Sequence, residues 1–449
     1  MTEPAWVQYA VWWQVYPLGF TGAPVFPAGP GERVLTHRLA RLVDWLDYAR
    51  ELGASGIALG PIFSSETHGY DTIDYFAIDP RLGDDDDFDA LIREAHQRGL
   101  RVMLDGVFNH VGRAFAPFQR ALAGGPDAPE SAWFTRQAVG GDFANFEGHD
   151  SLVALNHTEP AVADFVCDVM THWLARGADG WRLDAAYAVP PAFWAGVLPR
   201  VRALHPDAYV VGEIIHGDYP AIVADSALDS LTQYELWKAV WSSLSDANFF
   251  ELDYALGRHN TDLDIFVPLT FIGNHDVTRI ATALDDRRHL PHALVILLTV
   301  GGTPSIYYGD EQGFEGLKED RAGGDDAIRP EFPSGGPAEL SPEGWPVYHL
   351  HQHLIGLRRR HPWLHTARTS ALRLTNQFYV YEVREHGGRF GGDGGRLVVL
   401  LNVGDENGRL ERTTVTFDPE LLAGAAAITL ESVVVAPHGW AVLGVAPRE

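Results

Sequence analysis

The chain holds a single cysteine, Cys167, so no disulfide framework can be built within it. That residue lies in the helical run AVADFVCDVMTHWLARG, where a buried free thiol is expected. Basic residues are scarce: 34 Lys and Arg face 60 Asp and Glu, for a net charge of −26. Such a balance excludes nucleic acid or an anionic membrane as the main partner and reads as a device for solubility. No apolar run is long enough to span a bilayer. The first twenty residues, MTEPAWVQYAVWWQVYPLGF, show neither a basic leader region nor a cleavage-like site. A cytoplasmic protein is therefore expected. Repeats, low-complexity segments, dinucleotide fingerprints and P-loops are also missing, and nothing speaks to oligomeric state.

What is present points to an enzyme built on a barrel. At 449 residues the chain exceeds one ordinary domain and fits a (β/α)8 barrel with a smaller appendage. Its 13 Trp would suit sugar stacking, but most aromatics in a large enzyme fill the core. Apolar runs alternate with amphipathic stretches, the pattern of a parallel sheet wrapped by helices. Strands are expected near 11–16, 56–63, 101–108, 180–185, 209–214, 230–234, 266–273 and 304–308. Helices are expected near 35–52, 88–98, 161–176, 193–204 and 292–300. Arg38, Leu39, Leu42, Leu46 and Ala49 carry the i, i+3/i+4 spacing of the first helix. Eight strands favour a closed barrel over an open doubly wound sheet.

The expected division is a catalytic barrel over residues 1–110 and 157–361, a small insertion after the third strand over 111–156, and a C-terminal β-domain over 362–449. The insertion shows Gly, Pro, Phe and Asp but no clear helix. Beyond residue 362, ALRLTNQFYVYEV, GRLVVLLNV, RTTVTF, AITLESVVV and WAVLGV read as strands between Gly-rich turns, an antiparallel β-sandwich. The run Asp84–Asp87 precedes a helix, and N-capping explains it better than metal binding.

Four segments carry the chemistry: DGVFNH (105–110), GWRLD (180–184), Gly212-Glu213 and NHD (274–276). Asp184, Glu213 and Asp276 arrive on three different strands. In a parallel barrel all strand C-termini open on one face, so these acids would converge there. Convergent carboxylates repel one another, and glycosidic-bond chemistry is the use that explains their company. Arg182 lies two residues before Asp184 and so points to the same side of its strand. A guanidinium there favours the ionised carboxylate that a nucleophile needs. Gly212 is expected to leave room beside Glu213 for backbone and substrate. Alternation along a strand would turn His275 away from Asp276, so the strand is expected to have ended by there.

Together with QVYP (14–17), HGYDTIDY (68–75) and GGTPSIYYGDEQG (301–313), these segments resemble the alpha-amylase family, glycoside hydrolase family 13. The resemblance spans nearly the whole chain. It implies a retaining mechanism with Asp184 as nucleophile, Glu213 as general acid and then base, and Asp276 as the acid that grips sugar hydroxyls and stabilises the transition state. By the same resemblance, His110 and His275 contact the sugar at the cleavage site, Tyr70 stacks on it, and His68 is a hydroxyl ligand. Asp105 is implied as a support residue. Arg329 resembles an arginine following the last barrel strand in small-oligosaccharide enzymes, and a surface salt bridge explains it equally well.

No cofactor is implied, and calcium stays open. Asn109 matches a family calcium ligand, yet the positions after Asp184 read Ala185-Ala186-Tyr187-Ala188 in place of the Lys-His pair of calcium-binding amylases. GWRLD with the following AFW and HPDAYVVGEIIHGDYP are most similar to the neopullulanase–cyclomaltodextrinase branch, whose N-terminal β-domain has no counterpart here. LVALN (152–156) and Tyr187-Ala188 depart from that branch. The expected substrates are small α-glucan oligosaccharides, linear or cyclic, including cyclodextrins and cyclic maltosyl-maltose. An α-1,6-glucosidase and a glucosyl- or maltosyltransferase would use the same acids. A non-enzymatic relative would not need them.

Overall fold

In the computed structural model the described residues are 3–137, 141–321, 323–386, 394–414 and 418–445. Each apolar run expected as a barrel strand overlaps one. They are β1 (Trp12–Val15), β2 (Gly56–Leu59), β3 (Arg101–Gly106), β4 (Gly180–Leu183), β5 (Tyr209–Gly212), β6 (Ser230–Leu231), β7 (Leu269–Phe271) and β8 (Thr303–Tyr307). Every residue of β2, β4, β5 and β8 is buried, as both faces of a parallel sheet under helices require. The ladders are shorter than the runs because burial continues past them: Ile62, Val107, Phe108 and Ile214 lie beyond the strands and stay in the core.

The chain forms two compact units, residues 1–7, 12–232 and 329–340 in one, and 8–11, 233–328 and 341–449 in the other. Within the first, parallel strands run in the order β6-β5-β4-β3-β2-β1; within the second, β7 pairs with β8, also parallel. The eight belong to one parallel sheet, that of a (β/α)8 barrel. Six of the 13 Trp are among the largest fully buried side chains, so these rings fill the interior.

Two expectations about helices need correction. The helix expected over 35–52 is two, Leu39–Val43 and Leu46–Leu52. Between them Trp45 packs its ring 4.8 Å from that of Phe332 and 5.8 Å from that of Phe20. Leu39, Leu42, Leu46 and Ala49 stay buried across the break, so apolar spacing could not reveal it. The insertion does contain a helix, Ala116–Gly124, with Pro117 in its first turn and Phe118 and Ala121 buried beneath it. A small antiparallel sheet of His110–Gly112, His149–Ala154 and Asn145–Phe146 accompanies it. At the acidic run, Asp84 accepts from the backbone of Asp86 and Asp87 while Asp87 returns the bond, a capping box.

The C-terminal strands are β9 (Arg368–Leu374), β10 (Phe378–Arg384), β11 (Arg396–Asn402), β12 (Gly408–Glu411), β13 (Pro419–Gly424), β14 (Ala427–Ile428), β15 (Ser432–Val435) and β16 (Trp440–Val445). They form sheets of order β9-β10-β11-β16-β13 and β12-β15-β14. Val380, Val398, Leu400 and Leu443 of the first sheet pack with Leu410, Val433 and Val435 of the second. The expected strand RTTVTF differs: Arg412–Thr414 form a single 3-10 turn, and 415–417 lie outside the described residues. Cys167 is a buried free thiol. Among the described residues no helix is long and apolar enough to cross a membrane.

Candidate active site

Register decides which side chains meet at the ends of β3, β4 and β5. Asp105 pairs with Arg182 and Arg182 with Val211; the next row is Gly106, Leu183 and Gly212. Asp184 and Glu213 follow, their N–H groups donating to Gly106 O (3.0 Å) and Leu183 O (2.9 Å). Both acids thus leave adjacent strands at one level. The same-side expectation for Arg182 and Asp184 is met, but the guanidinium does more than pair with one acid. Its Nη1 donates to both oxygens of Asp105 (2.7 and 2.8 Å) and to Asp184 Oδ1 (3.0 Å), and its Nη2 lies 2.7 Å from Glu213 Oε1.

All four side chains are buried. Burial alone would lower the Arg182 pKa, yet Asp105, Glu213 and Asp184 hold it well above its ordinary value. One guanidinium thus serves three carboxyl groups. Ala185 adds a neutral donor, its N–H reaching Glu213 Oε2 at 2.9 Å. It does so from a left-handed conformation (φ 46°), which costs an alanine roughly 1–2 kcal/mol. Gly212 has a different role from the one expected. A Cβ there would meet Leu228 Cδ1 at 2.7 Å and Ala186 Cβ at 3.3 Å, so its bareness admits core side chains.

Removing the guanidinium strands three buried acids. Arg182→Ala is expected to lose about 3–5 kcal/mol of stability, the range for breaking a buried ion pair on one side. Urea unfolding at neutral pH measures it, and a loss below about 1 kcal/mol would show the acids tolerate one another without Arg182.

A second layer surrounds these groups. Tyr70 Oη donates to Asp105 Oδ2 at 3.2 Å, and Tyr70 N–H donates to His68 Nδ1 at 3.2 Å. His68 O in turn accepts from Tyr16 Oη at 2.8 Å. The Arg329 guanidinium stacks on the Tyr16 ring, 4.7 Å from its centroid, and hydrogen-bonds the phenol. Burial, against the pull of Arg329, pushes the Tyr16 phenol up to about 12. Arg329 is thereby tied to His68 through Tyr16. His110 donates from Nε2 to Tyr70 O (3.0 Å), and its Nδ1 faces Asn109 Nδ2 (3.1 Å). Burial lowers this imidazole to about 4, so it is neutral.

Phe146, which no pattern in the insertion singles out, stacks on His110 at 4.7 Å with 15° between planes. Tyr187 donates to Glu147 Oε1 at 2.8 Å. Tyr16 was visible within QVYP, but only its contacts give it a role.

The third acid lies in the second unit. β7 ends at Phe271, and residues 275–276 form a turn, so His275 and Asp276 face each other: His275 Nε2 is 2.9 Å from Asp276 Oδ2. Asn274 Oδ1 accepts from Asp276 N (2.8 Å), and Asn274 Nδ2 donates to Tyr234 Oη (2.9 Å). Asp276 is one-third exposed (33%), whereas His275 is buried (3%). Arg279, three residues on, is fully buried and pairs with Asp310 at 2.8 Å. It also donates to Tyr308 O and Ile328 O (2.6 and 2.8 Å), bracing this turn against the segment after β8.

The catalytic-domain model of the alpha-amylase family matches residues 37–369. The chain belongs to the alpha-amylase family. Among relatives within that family, a cyclomaltodextrinase of Geobacillus thermopakistaniensis is 34% identical over 339 residues, 70% of this chain and 57% of that protein. The chain thus aligns with somewhat under two-thirds of that relative's length. Two solved alpha-amylase-family structures match along almost the full chain. The cyclic alpha-maltosyl-(1→6)-maltose hydrolase of Arthrobacter globiformis superposes with a TM-score of 0.81 at 25% identity, covering 99% of this chain and 100% of that one. The Nostoc punctiforme debranching enzyme gives 0.83 at 26% identity, with coverages of 99% and 100%.

Proposed function

We propose that the protein is a retaining α-glycoside hydrolase of small malto-oligosaccharides, linear or cyclic. One observation carries the reading: a single buried guanidinium holds Asp184 and Glu213, side chains of adjacent strand ends, at 3.0 and 2.7 Å. Two carboxyl groups on either side of a scissile bond are what glycosidic cleavage requires. Asp184, ionised beside Arg182, attacks the anomeric carbon while Glu213 protonates the departing oxygen. Water, deprotonated by Glu213, then releases the sugar from Asp184. Asp276 grips hydroxyls of the same sugar and steadies its positive charge. Tyr70, His68, His110 and His275 bind that sugar, with Asp105 and Arg329 in support.

Calcium has no step in this chemistry. After Asp184, Ala185 and Ala186 offer no side-chain oxygen to such an ion. Small and cyclic substrates are supported by the names of the relatives and of the near full-length structural match. One buried cysteine suits a reducing compartment, and we place the protein in the cytoplasm.

A panel of cyclodextrins, cyclic maltosyl-maltose, panose, isomaltose, pullulan and starch, read by product identification and NMR, tests the reading. The first product is expected to be the α-anomer of a small oligosaccharide. A β-anomer would mean inversion, and transfer products at low acceptor concentration would mean a transferase. Glu213→Gln is expected to lose about 10²–10⁴-fold in kcat on oligosaccharides and far less on aryl glycosides with good leaving groups. Equal loss on both would remove the acid role from Glu213.

A further inference from the structure

Within the second unit lies a cluster of titratable side chains that the proposed hydrolysis does not use. His289 ends the 3-10 turn Arg287–His289, and His438 lies in the turn between β15 and β16. They are 149 residues apart in sequence, yet His289 Nε2 faces His438 Nδ1 at 3.0 Å, with the rings 5.2 Å apart and nearly parallel. His438 holds this position from a left-handed backbone (φ 53°).

Proton placement follows from the partners. His438 Nε2 is 2.9 Å from Asp405 Oδ1, and a carboxylate only accepts, so Nε2 carries the proton and Nδ1 keeps its lone pair. His438 Nδ1 is thus an acceptor, and in the metal-free chain His289 Nε2 supplies the proton between the two rings. A metal ion that displaces this one proton finds two imidazole nitrogens already turned toward each other. Asp286 Oδ2 completes the group, 4.0 Å from His289 Nε2 and 3.9 Å from His438 Nδ1. Exposed Arg288 donates to both Asp286 oxygens, and an ion would take the place of its contacts at Oδ2. His292 donates to Asn402 O and Gly439 O at 3.0 Å each, pinning the backbone beside His438.

We propose that Asp286, His289 and His438 form a binding site for a divalent transition metal of the zinc type, with Asp405 orienting His438. Two imidazoles and one carboxylate, with water in the fourth position, make a tetrahedral donor set for such an ion. Calcium and magnesium prefer all-oxygen sites and are poor candidates. The histidine–carboxylate bond from His438 to Asp405 is the outer-shell partner that metal-bound imidazoles carry. A bound ion joins the turn before the helix Leu290–Thr299 to the turn between β15 and β16.

The test uses the full chain, stripped with a chelator and titrated with Zn²⁺ by calorimetry and with Co²⁺ by visible absorption. Expected are one equivalent of Zn²⁺, the intense visible bands of tetrahedral Co²⁺, and a rise of about 3 °C or more in the unfolding midpoint at saturating Zn²⁺. His438→Gln and Asp286→Asn should each weaken Zn²⁺ binding at least about tenfold, and Asp405→Asn by about 10–100-fold. Overturning results are wild-type protein that takes up no stoichiometric Zn²⁺, Co²⁺ spectra of hexa-aqua type, or variants that bind as wild type does. In the first case the two imidazoles share a proton instead. Because wild-type titration alone can decide, a variant that fails to fold leaves the test intact.

Discussion

Asp184→Ala is expected to lower kcat on malto-oligosaccharides by at least about 10⁴-fold, since no glycosyl-enzyme bond can form without the nucleophile. Neither remaining acid of the cluster can substitute. Asp105 is engaged by Arg182 through both oxygens and by Tyr70, and Glu213 is needed to protonate the leaving group. Stability should barely move. The cluster holds three carboxylates around one guanidinium, so losing one acid reduces repulsion and leaves Arg182 paired with Asp105 and Glu213. Steady-state kinetics and thermal unfolding on the same preparation check both halves. Activity near wild type would remove Asp184 from the nucleophile's role; a large fall in midpoint would make it a structural residue.

The second large effect is acid lability. Burial pushes His110, His259 and His351 from 6.5 down to about 4 in the folded chain. Above about pH 6.5 these rings are neutral whether folded or not, and they contribute nothing to the pH dependence. Below it the unfolded chain takes up protons that the folded chain refuses, so stability falls as pH drops from 6.5 toward 4. Each pH unit costs about 1.4 kcal/mol per ring. By pH 5 the three together cost on the order of 6 kcal/mol, much of the 5–15 kcal/mol that holds a typical protein folded. Denaturant titrations at pH 7.5, 6.5, 5.5 and 5.0 measure the slope. A flat profile to pH 5 would contradict neutral burial of these rings, and His351→Phe should make the slope shallower by about one proton.

The barrel was legible because parallel strands buried on both faces read as unbroken apolar runs, and all eight runs overlap strands. Their ends were not, since side chains beyond each ladder are as buried as those within it. The split at Trp45 and the helix Ala116–Gly124 escaped for opposite reasons. In the first, apolar spacing continues across the break; in the second, Pro117 marks a helix start inside a segment otherwise rich in turn residues.

The candidate site divides along the same line. The sequence by itself determined the family, the barrel strands, the segments that bear Asp184, Glu213 and Asp276, and the pairing of Arg182 with Asp184. These follow from motif order and from alternation along one strand, both local properties. Only the tertiary structure decided that Arg182 also grips Asp105 and Glu213, that Gly212 makes room for Leu228, that Arg329 reaches His68 through Tyr16, and that His289 meets His438. Such contacts depend on register between strands and on turns far apart in the chain, which no local pattern of residues encodes.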